Sequence, residues 1–180
     1  MSKLSELILY VASQSQDDPN FSAIKLNKIL FAVDFIAYGV WGHPVTEISY
    51  IRQEHGPAPE PTAFLQIRDQ LLEDERATLQ TRFHFGKEQK RIIALDVPDM
   101  TVFTEEERTL IDDVVCELKG FNSTQLSEWT HNLLPWLQAD NGEAIPFYTI
   151  FAFRKRPVSQ AGLNWGEKRL KELRESGDVP

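Results

Sequence analysis

The first apolar period in this chain is helical. Leu4, Leu7, Ile8 and Val11 share one face at i, i+3, i+4 and i+7, and the polar stretch 13–20 ends the run. Ser22 is placed as the N-cap of a second helix. Its apolar residues Ile24, Ile29, Leu30, Phe31, Val33, Phe35 and Ile36 cover more than one face, which predicts a central helix. Gly39, directly after Tyr38, is expected as its left-handed C-terminal cap, and Gly42 and Pro44 hold the chain irregular up to "TEISYIRQ", whose alternation predicts a short strand.

Beyond "HGPAPEP", Phe64, Leu65, Ile67, Leu71 and Leu72 mark a third helix reaching about Arg76. "TLQTRFHF" and "RIIALDV" flank the turn-like "GKEQK" as a hairpin, which with "EISYI" would make a three-stranded antiparallel sheet. "TEEERTLIDDVVCELKG" opens with Thr104 and Glu107 in capping-box spacing and closes at Gly120, predicting a fourth helix on Leu110, Ile111, Val114, Val115 and Leu118. A further helix starts at Ser123 or Thr124 and is broken by Pro135; "IPFYTIFAF" fits a buried strand or a helix equally. Residues Asn164 to Ser176, with Trp165, Leu170 and Leu173 among charges, read as a separate helix behind a "RKRPVSQAG" linker. The expected fold is α+β: one mainly α-helical domain, 1–153, with a small antiparallel β-sheet of about three strands, followed by a basic linker and helix, 154–180.

Composition narrows the classes. With 180 residues, 42% hydrophobic and 26% charged, the chain can bury a core without disulfides or metal. One cysteine, Cys116, excludes an internal bridge or a multi-cysteine zinc site and fits a reducing, cytoplasmic compartment. The N-terminal apolar run is interrupted by Ser5, Glu6 and Ser13 and reads as a mature helix, and no stretch approaches a membrane span. Net charge is −8, made of 12 Lys+Arg against 23 Asp+Glu in 1–150 and 7 against 4 in 151–180. A basic tail on an acidic body argues against wrapping nucleic acid, whose binding draws on phosphate neutralisation.

Catalytic spacings are absent. None of His43, His55, His84 and His131 has a helical metal-ligand partner, and each is expected to be satisfied locally. Cys116 falls near an apolar stripe and is expected to pack as a small hydrophobe. G-x-S-x-G, P-loop and dinucleotide fingerprints are missing, so no cofactor, metal or catalytic residue is assigned and a non-enzymatic role is expected. The acidic run "EEER" reads as first-turn charge favouring the helix dipole, otherwise solvated. The hairpin with basic residues near its tip is the one feature that a winged-helix DNA-binding regulator shares, and that is the alternative reading.

The stretch "KLNKILFAVDFIAYGVWGHPVTEISYIRQEHGPAP" resembles the signature of the Panacea domain, a SocA-like antitoxin domain. "LSEWTHNLLPW" resembles that family's second block. On the first pattern lie Lys25, Leu26, Lys28, Asp34, Tyr38, Gly39, Gly56 and Pro57, and on the second Thr130, His131 and Trp136. The sequence departs from it at Phe31, where Tyr is common, and at His55, where an aromatic Tyr usually precedes the glycine. The resemblance implies a mainly helical fold with a small sheet, and an antitoxin of a type II-like toxin–antitoxin system that binds a cognate protein toxin encoded beside it. Delivery of the toxin to a cellular protease, as a proteolytic adaptor, is a second implied route. Asp34, costly to bury unpaired, is expected to pin the "HGPAP" loop or the start of the "LSEWTH" helix. Trp41, His43, His55 and Trp165 are candidate partner contacts, Trp being enriched where interface energy concentrates. Oligomeric state is left open.

Overall fold

A computed structural model describes residues 2–84 and 87–152. Among the described residues six α-helices and four strands follow in the order α1 (Lys3–Gln14), α2 (Ala23–Trp41), β1 (Tyr50–Gln53), β2 (Gly56–Pro59), α3 (Pro61–Glu73), β3 (Ala77–His84), β4 (Lys87–Ala94), α4 (Glu105–Leu118), α5 (Ser123–His131) and α6 (Leu134–Gln138). Short 3₁₀ turns lie at Met100–Val102 and Phe147–Phe151. The fold is α+β and mainly helical, as the periodicities predict.

α2 is the axis. Ser22 caps its first turn by accepting from the Lys25 N–H, and apolar residues on several sides of it are buried, among them Leu26, Ile29, Leu30, Phe31, Val33 and Phe35, while Ile36 and Val40 stay exposed. The helix runs through Gly39 to Trp41. Its left-handed cap is Gly42 at φ 80°, whose N–H reaches the Tyr38 carbonyl at 2.9 Å. Gly39 therefore does not end the helix, and a Cβ there would meet Ile150 only at an ordinary contact distance of 3.7 Å. Phe31, Phe35, Tyr50 and Phe147 form an aromatic cluster beside α2, with ring centroids 4.1–6.1 Å apart. α1 buries Leu7, Ile8, Leu9 and Val11 against α2 and β4.

The sheet differs from expectation. β1 pairs with β2, not with the β3–β4 hairpin, so there are two antiparallel pairs rather than one three-stranded sheet. The tight turn at Glu54–His55 brings β2 back onto β1 before any distant strand can compete, and the other edge of β1 is taken by 142–145 through Arg52 N–H to Glu143 O and Ile145 N–H to Tyr50 O. The strand of "TEISYIRQ" is confined to its second half because Glu47 turns at φ 61°. β4 starts at Lys87, so the hairpin turn is shorter than "GKEQK".

Ion pairs and caps lock the helices. The capping box at Thr104 forms, but Glu107 is buried rather than solvated, because Lys3 reaches it at 2.6 and 2.7 Å from α1. Glu6, fully buried, takes two hydrogen bonds from Arg76 and one from the Asp99 N–H. Burial pushes its carboxyl up, and those donors outweigh burial and leave it below the usual range. Arg91, 1% exposed, donates to the carbonyls of Ser15, Gln16 and Asp18 just past the end of α1. Cys116 is exposed, contrary to expectation, because α4 turns Ile111, Val114 and Val115 inward and leaves position 116 outside. Pro135 opens α6 rather than breaking α5, which already ends at His131. "IPFYTIFAF" resolves as neither strand nor α-helix but as the 3₁₀ turn Phe147–Phe151. The tail from 153, with the predicted helix 164–176, lies outside the described residues.

Candidate functional site

The hairpin β1–β2 has Pro57 and Pro59 in its second strand. Neither residue carries an N–H to donate, which suits a strand at a sheet edge. Its tip, Gln53 to Pro57, is held by donors from three helices. Lys28 Nζ of α2 donates to the Pro57 carbonyl at 2.8 Å, Ser127 Oγ of α5 to the His55 carbonyl at 3.0 Å, and Trp136 Nε1 of α6 to the Gln53 carbonyl at 3.1 Å. Three of five successive carbonyls are thus fixed from outside the hairpin.

Gly56 makes the arrangement possible. Its φ is +99°, and a Cβ there would lie 2.4 Å from Thr130 Oγ1, 2.8 Å from Lys28 Cε and 2.9 Å from Lys28 Nζ. Only glycine lets backbone, amine and hydroxyl meet. Thr130, fully buried, returns its hydroxyl to the Leu126 and Ser127 carbonyls of its own helix.

The electrostatics are unusual for an acidic protein. Lys28 is 1% exposed, and among the described residues its one hydrogen-bond partner is a neutral carbonyl. Burial lowers its pKa from 10.5 to about 7. His131 stacks on Trp136 with centroids 4.1 Å apart, and the Arg52 guanidinium lies 4.0 Å over the same indole. Burial, then the positive charges of Lys28, His55 and Arg52, push the His131 imidazole below its ordinary value, against a backbone interaction with Glu54. Its Nε2 is buried without a partner, so this histidine is not locally satisfied as expected. Arg52 also donates to the Ala139 carbonyl. Beside the tip opens a groove of about 850 Å³, bordered by the N-termini of α2 and α5 at Ser22 and Asn122, by His55 and Ser127, and by Lys90 of the hairpin.

Of the residues on the two sequence blocks, Lys28, Gly56, Pro57, Thr130, His131 and Trp136 come together here. Lys25 acts elsewhere: its buried amine bonds Asp18 at 2.7 Å and the carbonyls of Lys119 and Phe121. Leu26 is core, Tyr38 stacks on Phe147 at 5.5 Å, and Gly39 packs on Ile150. Asp34 pins neither the "HGPAP" loop nor the "LSEWTH" helix. Its carboxylate accepts from the N–H groups of Val45 and Thr46 at 2.9 and 2.8 Å, from the Thr46 hydroxyl and from Tyr50 Oη at 2.7 Å, fixing the loop after α2. Six residues along from Lys28, it projects from a different side of the helix and meets a different loop. Burial raises its pKa against those four donors, and raises that of Tyr50 as well.

Among the candidate contacts, His55 is exposed at the platform tip. Trp41 is half-buried beside exposed His43 at the far end of α2, about 20 Å along the helix from Lys28. Trp165 lies outside the described residues. Arg52 and Ser127 were not foreseen, although "YIRQ" put an arginine on the strand next to the turn, and Ser127 is one helical turn before His131. Among the described residues no group of three or more His, Cys, Asp or Glu could hold a metal, and no helix is long and apolar enough to cross a membrane.

The two sequence blocks thus converge on one braced turn. A family model, antitoxin SocA-like, Panacea domain, matches residues 26–137, well over half of the chain. The chain belongs to this antitoxin SocA-like family. The match starts at Leu26, two residues before Lys28, and ends one residue past Trp136, so it takes in every group that braces the Panacea platform. Comparison with curated proteins found no match, and neither did comparison with solved structures.

Proposed function

We propose that this Panacea protein is a non-enzymatic antitoxin that neutralises a cognate protein toxin by direct binding, with the β1–β2 tip as the central contact. The observation that carries this is the tip itself. Its main chain is fixed at Gln53, His55 and Pro57 by Trp136, Ser127 and Lys28, while the side chains of Gln53, Glu54 and His55 stay exposed. Ordering a loop before association removes part of the entropic cost of binding, and that is where such bracing acts. Trp41 and His43 offer a second contact at the end of α2, and the toxin in this reading spans part of the surface between them.

The test is co-expression with the neighbouring reading frame that inhibits growth, followed by recovery of the pair. Restored growth with co-purification supports the reading. So does a Glu54→Ala/His55→Ala variant, exposed at both positions, that keeps its melting temperature and binds at least about tenfold more weakly, as loss of two central contacts does. Wild-type affinity in that variant removes the tip from the interface. Rescue with falling toxin levels and no stable complex replaces neutralisation by binding with delivery to a protease.

A further inference from the structure

Away from the platform, α2, α4 and α5 leave an apolar groove of about 220 Å³. Ile36, Leu110, Leu118 and Trp129 line it, with Asp113 and Glu117 on its α4 side. Ile36 and Trp129 are 39% and 40% exposed, and Val40, one turn along from Ile36, is 68% exposed, so apolar surface continues along α2. α4 itself is acidic on its outside, carrying Glu105, Glu106, Asp112, Asp113 and Glu117 against Arg108, while Glu107 is buried and paired with Lys3.

We propose that residues 163–174 of this same chain occupy the groove. Three observations select this occupant. Leu163, Leu170 and Leu173 recur at i, i+7 and i+10, which puts them on one side of a helix, and Arg169 and Arg174 fall on the two flanks of that side. The segment's basic excess, within a 151–180 region of 7 Lys+Arg against 4 Asp+Glu, complements the acidic α4 rim. The path also fits. The described chain leaves at Ala152, just after Ile150 packs on Gly39 of α2, and Gly39 lies less than one turn from Ile36. From the level of Gly39 to that of Ala32, the deep end of the groove on α2, is about 10 Å of helix. Residues 153–162 span up to about 33 Å when extended. A linker of that length keeps the segment at millimolar effective concentration over the groove. The occupied groove covers Ile36 and Trp129, leaves the β1–β2 tip untouched, and does not depend on toxin binding.

Cys116, the one cysteine of the chain and exposed on α4 beside Glu117, supplies the test. A benzophenone maleimide attached there in the full chain is photolysed, and the crosslinks are mapped by mass spectrometry. Crosslinks into 163–174 are expected, with a yield unchanged on dilution. Leu170→Glu/Leu173→Glu is expected to lower that yield about tenfold or more, since each leucine loses its burial. Asp113→Lys/Glu117→Lys, on an exposed rim where folding is not at stake, is expected to lower it severalfold. Crosslinks confined to the body of the same chain overturn the proposal. A yield that falls with dilution does so too, and assigns the groove to a second copy. Equal yield in both variants likewise rules out docking through these residues.

Discussion

Gly56→Ala puts a methyl group where the platform has no room. Two costs add. A non-glycine residue held near φ +99° carries about 1–3 kcal/mol of backbone strain. The Cβ at 2.4 Å from Thr130 Oγ1 and 2.8 Å from Lys28 Cε forces a displacement of the order of other overpacked sites, about 1–3 kcal/mol. The total, about 2–6 kcal/mol, is a large share of a domain's usual 5–15 kcal/mol. Urea unfolding of the full chain measures it, read as a lower midpoint at unchanged m-value. Thr130→Ala separates the two costs. It removes the clashing oxygen, whose own bonds go only to helix carbonyls, so alone it costs about 1 kcal/mol. In Gly56→Ala/Thr130→Ala the strain persists while the contact with Oγ1 is gone, and the double variant is expected to be more stable than additivity gives by about 1 kcal/mol or more. Relief stays partial, because Lys28 cannot withdraw without losing the Pro57 carbonyl. A Gly56→Ala protein within about 0.5 kcal/mol of wild type refutes the steric account, and strict additivity refutes the role of Thr130.

Lys28 titrates at 10.5 when unfolded and at about 7 when buried, so between these values the unfolded chain holds the extra proton and stability rises with pH, by up to about 1.4 kcal/mol per unit. Tyr10, raised to about 12 by burial and then by Asp112, and Tyr50, raised by burial and Asp34, act oppositely above pH 10. Wild type should therefore gain stability from pH 7 towards 10 in chemical denaturation and Lys28→Met should show a much flatter profile; parallel profiles would mean that the amine is solvated in the folded state. Arg76→Met takes the counter-charge from the fully buried Glu6 carboxylate, leaving it the Asp99 N–H and the Ser5 hydroxyl, and is expected to cost about 3 kcal/mol at neutral pH. The lowered folded pKa of Glu6 means that its contribution is present above the unfolded value of 4.5 and is lost as pH falls through the folded one, so the deficit of Arg76→Met should shrink in acid. A deficit independent of pH would assign the loss to packing of the arginine instead.

The first five helices were legible because each depends on local chemistry; α6, which opens at Pro135 with no side-chain cap, was not. Ser22 and Thr104 cap where their hydroxyls can meet the third N–H of the helix, and the apolar runs behind them fix which faces are buried. Strand partners were not, since pairing depends on what the chain meets first in space. β1 takes its neighbours from 56–59 and 142–145, and nothing in "EISYI" distinguishes those from the hairpin. The site was half legible. Two blocks far apart in sequence marked Lys28, Gly56, Thr130, His131 and Trp136, but residue types alone do not say which donor meets which carbonyl. Pairing Asp34 with "HGPAP" had the sign wrong for the groups involved: the tip presents carbonyls, which need a donor, and Lys28 is the donor on the side of α2 facing it.

That sign rule extends to all three charged residues buried in α2. Lys25 donates to the carbonyls of Lys119 and Phe121 as well as to Asp18, Lys28 donates to Pro57, and Asp34 accepts from the N–H groups of Val45 and Thr46. Each charge meets main-chain groups of a different loop, and amines meet carbonyls while the carboxylate meets N–H groups. α2 is thus a hub whose polar residues set the paths of the α4–α5 connection, the β1–β2 tip and the segment leaving α2. Native-state hydrogen exchange can separate these roles. Asp34→Ala is expected to lose protection at 45–50, each unpaired buried donor costing about 1–3 kcal/mol, while 53–59 stays protected. Asp34→Asn, whose carbonyl can accept from both N–H groups and whose amide can donate to the hydroxyls of Thr46 and Tyr50, should recover most of that loss. Lys28→Met should show the reverse pattern, with exchange quickened around 53–59 and little changed at 45–50. If either variant loosened both loops equally, the loops would be coupled through the core rather than held one by one from the helix, and the platform could not be treated as a separately braced surface.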